Sequence, residues 1–310
     1  MSNSNEPGTA LRDILLGGDQ HIVVRPVCAD DDVMLMDLYE ALDAEDRHRR
    51  FFCAYRTGLD FYTEMATVAD RGGAGLVAVL RGPPPTDERI IGEASYSPLP
   101  NGDGELGMVV DRRWRGWLGP YLLDALVDTA AANGVPNLEA DVLTENRPML
   151  AILRSRGCVM MEHDRWSEVR LLIGTAGRRP TWPGPHDRER VLVEGAGGHW
   201  HAEDAARAAG LQLLACPGPR NGRRDCPVLS GEPCPLAAEA DVVVVSHPAD
   251  DRWRDLLAAH AALHPGVPVC LESAKLPVDD EHVTMCPVAG DSEVVSFVRH
   301  LADPERPSSK

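Results

Sequence analysis

The sequence predicts two domains: an α+β domain on a mixed, mostly antiparallel sheet, followed by a small α/β domain on a parallel sheet. Three observations carry this. The chain has 310 residues and is 44% hydrophobic, enough for two cores. The first half contains Asn101-Gly102-Asp103-Gly104 between strand-like runs, a strong hairpin signal. Beyond a Gly- and Pro-rich stretch, residues 174–190, strand and helix patterns alternate, as in a parallel sheet covered by helices.

Taken in order, residues 21–26 read as a first strand. An acidic N-cap region at 30–32 leads into an amphipathic helix over 33–42. Residues 43–52 are charged, helical and end in two aromatics. Strands follow at 75–81 and 89–96, split by the turn PPPTDE. The Asn-Gly turn then pairs 93–96 with 105–110. Pro120 suits the first turn of a helix that ends at Asn133-Gly134. A strand at 138–143, a helix at 147–156 and a strand at 165–173 complete a domain over 20–175, after a flexible N-terminus at 1–19. A linker is expected at 176–189. The second domain, 190–303, has strands at 191–194, 211–215, 241–246, 267–272 and 282–287. Its helices fall at 202–209, 250–263 and 292–301, before a tail at 304–310. At the level of fold it resembles flavodoxin-like or receiver domains. The third strand ends Val245-Ser246-His247, not in an aspartate, and only Lys275 suggests a receiver. A binding or regulatory module without phosphoryl chemistry is expected.

With 31 basic and 48 acidic residues the net charge is −17. This argues against nucleic acid and anionic membranes as partners. It suits a cationic acceptor, although solubility alone explains it equally well. No apolar run reaches membrane-spanning length, and the N-terminus shows no signal-peptide pattern, so a cytoplasmic protein is expected. The eight cysteines read as reduced, buried thiols. Cys216, Cys226 and Cys234, with His247 nearby, are weak candidates for a metal site, because no short knuckle spacing is present. Gly195 and the glycines at 197 and 198, followed by His199, Trp200 and His201, form a glycine-rich turn too common to assign a phosphate to.

The chemistry concentrates in residues 104–123, GELGMVVDRRWRGWLGPYLL. A strand runs into a tight loop with Arg115, Gly116 and Gly119 and then into a helix. Such a loop directs unpartnered backbone N–H groups at an anion, and Glu105 on the strand ahead of it is a candidate general base.

This segment resembles the acetyl-CoA-binding motif of the GNAT acetyltransferase superfamily, in particular the acetyltransferase domains of bacterial Pat-type protein lysine acetyltransferases. Val24-Arg25-Pro26, LDAEDRHRRFF, IIGEASY and LTENRPMLAILRSRGC extend the resemblance, in order, over residues 20–175. Where the family has R-G-x-G-x-G, this chain has the shorter Arg115-Gly116-Trp117-Leu118-Gly119. The resemblance implies a GNAT fold and acetyl-CoA as co-substrate. It implies that Val109 and Val110 offer backbone groups to the pantetheine arm. Arg115, Gly116, Trp117, Leu118 and Gly119 would cradle the pyrophosphate, with Asn146 beside the cofactor arm or capping the next helix. Arg112 and Arg113 either add charge to the cradle or are solvated. Glu105 takes the position of the catalytic glutamate. Glu93 is a secondary acid/base candidate that reads equally as structural. The tyrosine acid of many small-molecule members is replaced by Leu153, which leans toward a protein lysine acceptor. A small amine acceptor and a non-catalytic acyl-CoA sensor are the alternatives.

Overall fold

Alternation and turn chemistry account for most of the strands seen in the computed structural model. It describes residues 12–17, 20–52, 58–82, 88–163, 167–195, 200–216, 226–246, 252–272, 283–286 and 290–302. The expected N-terminal and C-terminal tails lie largely outside these, as do His199, His247, Lys275 and the glycines at 197 and 198. The chain packs as two compact units. The first takes residues up to 153 with 165–168 and 173–178; the second takes 154–164, 169–172 and 179 onward.

In the first unit β1 (Arg12–Gly17), β2 (Gln20–Pro26), β3 (Ala74–Arg81), β4 (Arg89–Pro98) and β5 (Gly104–Val110) form an antiparallel run, and β6 (Asn137–Leu143) joins β5 in parallel. β3 is an almost unbroken apolar run because helices cover the sheet on both faces. These are α1 (Asp32–Glu40), α2 (Ala44–Phe51) and α3 (Leu59–Ala66), then α4 (Leu118–Ala132) and α5 (Arg147–Arg154). The Asn-Gly turn sets the register Ser97↔Glu105 and Glu93↔Val109. Arg25 fixes the exit of β2 by a two-pronged pair with Asp31, both contacts at 2.7 Å. β1 lies where a flexible N-terminus is expected: Ile14 pairs opposite Ile22, a placement that only the partner strand supplies.

In the second unit five strands are parallel, in the order β10 (Gln212–Cys216), β9 (Arg190–Gly195), β11 (Val242–Ser246), β12 (Val269–Glu272), β13 (Val283–Met285). α8 (Arg252–Leu263) packs on one apolar cluster, and α6 (Glu203–Ala208) and α9 (Asp291–Ala302) on the other. α7 (Pro235–Ala238) also joins the first cluster. Two findings differ from the sequence reading. A strand β7 (Val159–His163) forms a hairpin with β8 (Glu168–Gly174), and its Met160 pairs with Ala215 of β10. Inside the stretch read as a linker, Trp182 is buried in the second unit's core, and its indole N–H donates to Leu236 O at 2.7 Å. Trp200, which follows the glycine-rich turn in sequence, is a core residue, 3% exposed.

Candidate active site

β5 and β6 pair only at Gly104↔Leu138 and Glu105↔Glu139; beyond Glu105 they part. A cavity of about 360 Å³ lies alongside β5 there, lined by Met108, Val109 and Val110 on β5, by Asn146 just before α5 and by Met149 and Ile152 on it. Leu42, Asp46, Arg49 and Arg50, from α2 and the residues before it, form another wall, and Arg115, Gly116 and Gly119 complete the lining. An apolar slot with arginines along it accepts a long neutral arm ending in anionic groups.

Strand pairing decides which backbone groups face the slot. Asp111 N–H donates to Ile91 O at 2.9 Å, so Asp111, Val109 and Gly107 direct their backbone groups at β4. Met108 and Val110 turn theirs to the open side. Val110 O there accepts from Arg115 Nε at 3.1 Å. Of the pair expected to offer backbone groups, Val110 turns its own to the open side, whereas those of Val109 face β4. Met108 shares the open side with Val110, as strict alternation along the strand requires.

After β5, Asp111 Oδ1 accepts from Arg113 N at 2.9 Å and shapes a turn over Arg112–Trp114. Gly116 follows with φ +102, a backbone conformation that a side chain strains. Gly119 lies in the first turn of α4, where an added Cβ meets nothing closer than 3.8 Å. Arg115, Gly116, Gly119 and Asn146 therefore meet at one cavity. Leu118 and Trp117 do not line it: the Leu118 side chain is fully buried under the sheet, and Trp117 is 41% exposed. Their contribution is confined to amides at the start of α4, which have no intrahelical acceptor. Asn146 both caps and lines: its O accepts from Leu150 N at 3.0 Å and its Oδ1 from Met149 N at 3.4 Å.

The sequence reading missed the α2 wall. Asp43 caps α2 by accepting from Asp46 N at 2.8 Å. Asp46 then gathers Arg115 at 2.7 Å, Arg112 at 3.5 Å and Arg49 at 3.7 Å. Arg112 is also 2.5 Å from Asp43, so it is an ion-paired residue of the loop. Glu105 is exposed on the face it shares with Gly107 and Val109. Glu93 faces the same way but is 1% exposed, and burial holds its carboxyl above the usual range against the pull of Arg50, Ser95 and Tyr39.

In the second unit Cys216, Cys226 and Cys234 pack at the edge of an apolar cluster. Burial pushes the Cys234 thiol up to about 11 and raises Cys226 as well, which disfavours the thiolate a metal needs. Among the described residues no three His, Cys, Asp or Glu side chains are placed to hold a metal ion, and no helix is long and apolar enough to cross a membrane.

About half of this chain is similar in structure to acetyltransferases. The GNAT domain of S. lividans PAT is 22% identical, with 53% of this chain and 96% of that one covered at a TM-score of 0.45. The putative acetyltransferase yncA from Salmonella typhimurium, solved with its cofactor acetyl-CoA, is 16% identical over 54% and 98% of the two chains, TM-score 0.43. The ribosomal-protein-S5-alanine acetyltransferase from Vibrio fischeri is 13% identical over 55% and 100%, TM-score 0.41. No family model matches the sequence.

Proposed function

We propose that the first unit is an acetyl-CoA-dependent N-acetyltransferase whose acceptor is a protein lysine. The observation that carries this is the split between β5 and β6, with an apolar slot along residues 108–110 of β5 and arginines at its wall. The residues fit the co-substrate: Met108 and Val110 turn backbone groups to the slot, with Val110 O already accepting from Arg115 Nε, Arg115 and the first amides of α4 suit a pyrophosphate, and Asn146 lines the same cavity. Bound there, acetyl-CoA supplies an activated acyl group.

The chain's own part is to place an amine and remove its proton. A lysine ammonium, with a reference pKa near 10.4, costs roughly 4–5 kcal/mol to deprotonate at neutral pH. Glu105, exposed where β5 and β6 join, accepts that proton directly or through one water. A backbone N–H on the open side of β5 stabilises charge developing on the acyl oxygen. Among the described residues no cysteine lines the cavity, which favours direct attack in a ternary complex. For the second unit we propose a flavodoxin-like regulatory or binding role, supported by its 2-1-3-4-5 parallel strand order.

Isothermal titration with acetyl-CoA and with CoA tests the reading first, followed by transfer to a lysine peptide and to a panel of small amines. Micromolar binding with peptide acetylation supports it. Transfer to small amines alone reassigns the acceptor, and binding without transfer to any amine leaves an acyl-CoA sensor.

A further inference from the structure

The loop after β5 carries three arginines, and their ion pairs set one of them apart. Arg115 holds Asp46 at 2.7 Å, and Arg112 is shared between Asp43 at 2.5 Å and Asp46 at 3.5 Å. Asp111, the acidic residue nearest to Arg113 in sequence, is already engaged twice. Its Oδ1 accepts from Arg113 N at 2.9 Å and its Oδ2 from Arg89 Nη1 at 3.2 Å. Among the described residues the exposed Arg113 has no ion-pair partner for its guanidinium. In a chain of net charge −17, a cation left unneutralised beside an anion cradle sets the local field that an incoming phosphate meets.

The same loop turns an aromatic ring to solvent. Trp182, Trp200 and Trp253 are core residues and Trp114 is half-buried, whereas Trp117 is 41% exposed. It stands between Gly116, at φ +102, and Leu118, the first residue of α4. Its amide therefore belongs to the cradle, while its indole stands outside the cavity. A large flat ring held at the surface is a stacking platform, since every nucleobase has a π-face that such a ring can cover.

Beyond its pyrophosphate, acetyl-CoA ends in an adenosine that bears a 3′-phosphate. With the arm in the slot and the pyrophosphate at the start of α4, that end continues past the loop that carries Trp117 and Arg113. We propose that these two residues form a subsite for it: the Trp117 indole stacks on the adenine, and Arg113 pairs with the 3′-phosphate. A base is met by a ring and an extra phosphate by a guanidinium, so the chain prefers CoA to dephospho-CoA. The inference rests on the acetyltransferase reading above and adds the part of the co-substrate which that reading leaves unheld.

The test titrates the full chain with CoA, dephospho-CoA and 4′-phosphopantetheine by calorimetry. Arg113→Ala is expected to weaken CoA about tenfold, as the loss of a charged hydrogen bond does, and to leave dephospho-CoA within about twofold. The wild-type preference for CoA over dephospho-CoA then disappears. Trp117→Ala should weaken CoA and dephospho-CoA alike by about tenfold, the scale of base stacking, and leave 4′-phosphopantetheine within about twofold. Trp117→Phe keeps an aromatic face and should hold CoA within about threefold of wild type. Tryptophan emission should be quenched by CoA and by dephospho-CoA, and that quenching should be lost in Trp117→Phe. A wild-type chain that binds CoA and dephospho-CoA equally overturns the proposal and leaves the acetyltransferase reading in place. So does a Trp117→Ala chain that loses 4′-phosphopantetheine as much as CoA, because the residue then shapes the loop and meets no base. A wild-type chain that binds none of the three ligands removes the parent reading and this one with it.

Discussion

Asp46 Oδ2 stands 2.7 Å from Arg115 Nη2, so the guanidinium that the glycine loop offers to an anion already touches one. The carboxylate sits 9% exposed on the cavity wall and competes with any phosphate for the same donor. Asp46→Asn is therefore expected to tighten CoA binding several-fold, on the order of 1 kcal/mol for an ion pair of this exposure. Arg115→Ala should weaken binding about tenfold or more, the loss of a charged hydrogen bond. Calorimetry at two salt concentrations checks both, and unchanged affinity in both variants would place the anion elsewhere.

Glu105 carries the proton in the proposed reaction. Glu105→Gln keeps the shape and removes the base, so turnover should drop by about 10²–10⁴ with CoA affinity unaltered. Stopped-time assays with a lysine peptide, beside a CoA titration, separate the two effects.

Gly116 and Gly119 should respond oppositely to alanine. Gly116, at φ +102, is expected to lose roughly 1–2 kcal/mol of stability when given a side chain. Gly119 is helical and an added Cβ would meet only ordinary van der Waals neighbours, none closer than 3.8 Å, so Gly119→Ala should gain about 0.5–1 kcal/mol. If backbone at Gly119 meets the pyrophosphate, the same variant binds CoA less tightly while melting higher. Thermal melts and titrations on one preparation reveal whether the two readouts diverge.

Asp103, 1% exposed, accepts from Asn137 Nδ2 at 2.9 Å, and burial raises its carboxyl to about 6 from 3.8. A raised acid favours the folded state while protonated. This contribution, on the order of 2–3 kcal/mol, is full below pH 3.8 and is lost as pH rises through about 6. Asp103→Asn should flatten the pH dependence of stability across that window and melt above wild type at neutral pH. Chemical unfolding at pH 4, 5, 6 and 7, taken as about unit steps across the window, measures the slope.

Local chemistry made part of this legible from residues alone. Asn101–Gly104 announces its hairpin, and Gly116 and Gly119 announce a loop that approaches an anion. β1 and β7 announce little, since both are short and depend on partners distant in sequence. Trp182 sits in a stretch whose Gly and Pro content reads as linker, and only the core it enters reveals its role. The α2 wall was hidden for a different reason. A run such as Glu45-Asp46-Arg47-His48-Arg49-Arg50 has the composition of a solvated helix face, and packing against β5 turns Asp46 and Arg50 inward.

The parting of β5 from β6 leaves a sheet with an interior edge, a row of backbone groups in the middle of a domain awaiting a guest. An arm that carries amides can lie there as a short foreign strand. Recognition of that kind reads the peptide geometry of the host and ignores its side chains, so Met108 and Val110 can drift in identity while the contact persists. Their amide hydrogens are the natural reporters: exchange at Met108 and Val110 should slow on ligand binding, while Val109, already held by β4, stays as it was.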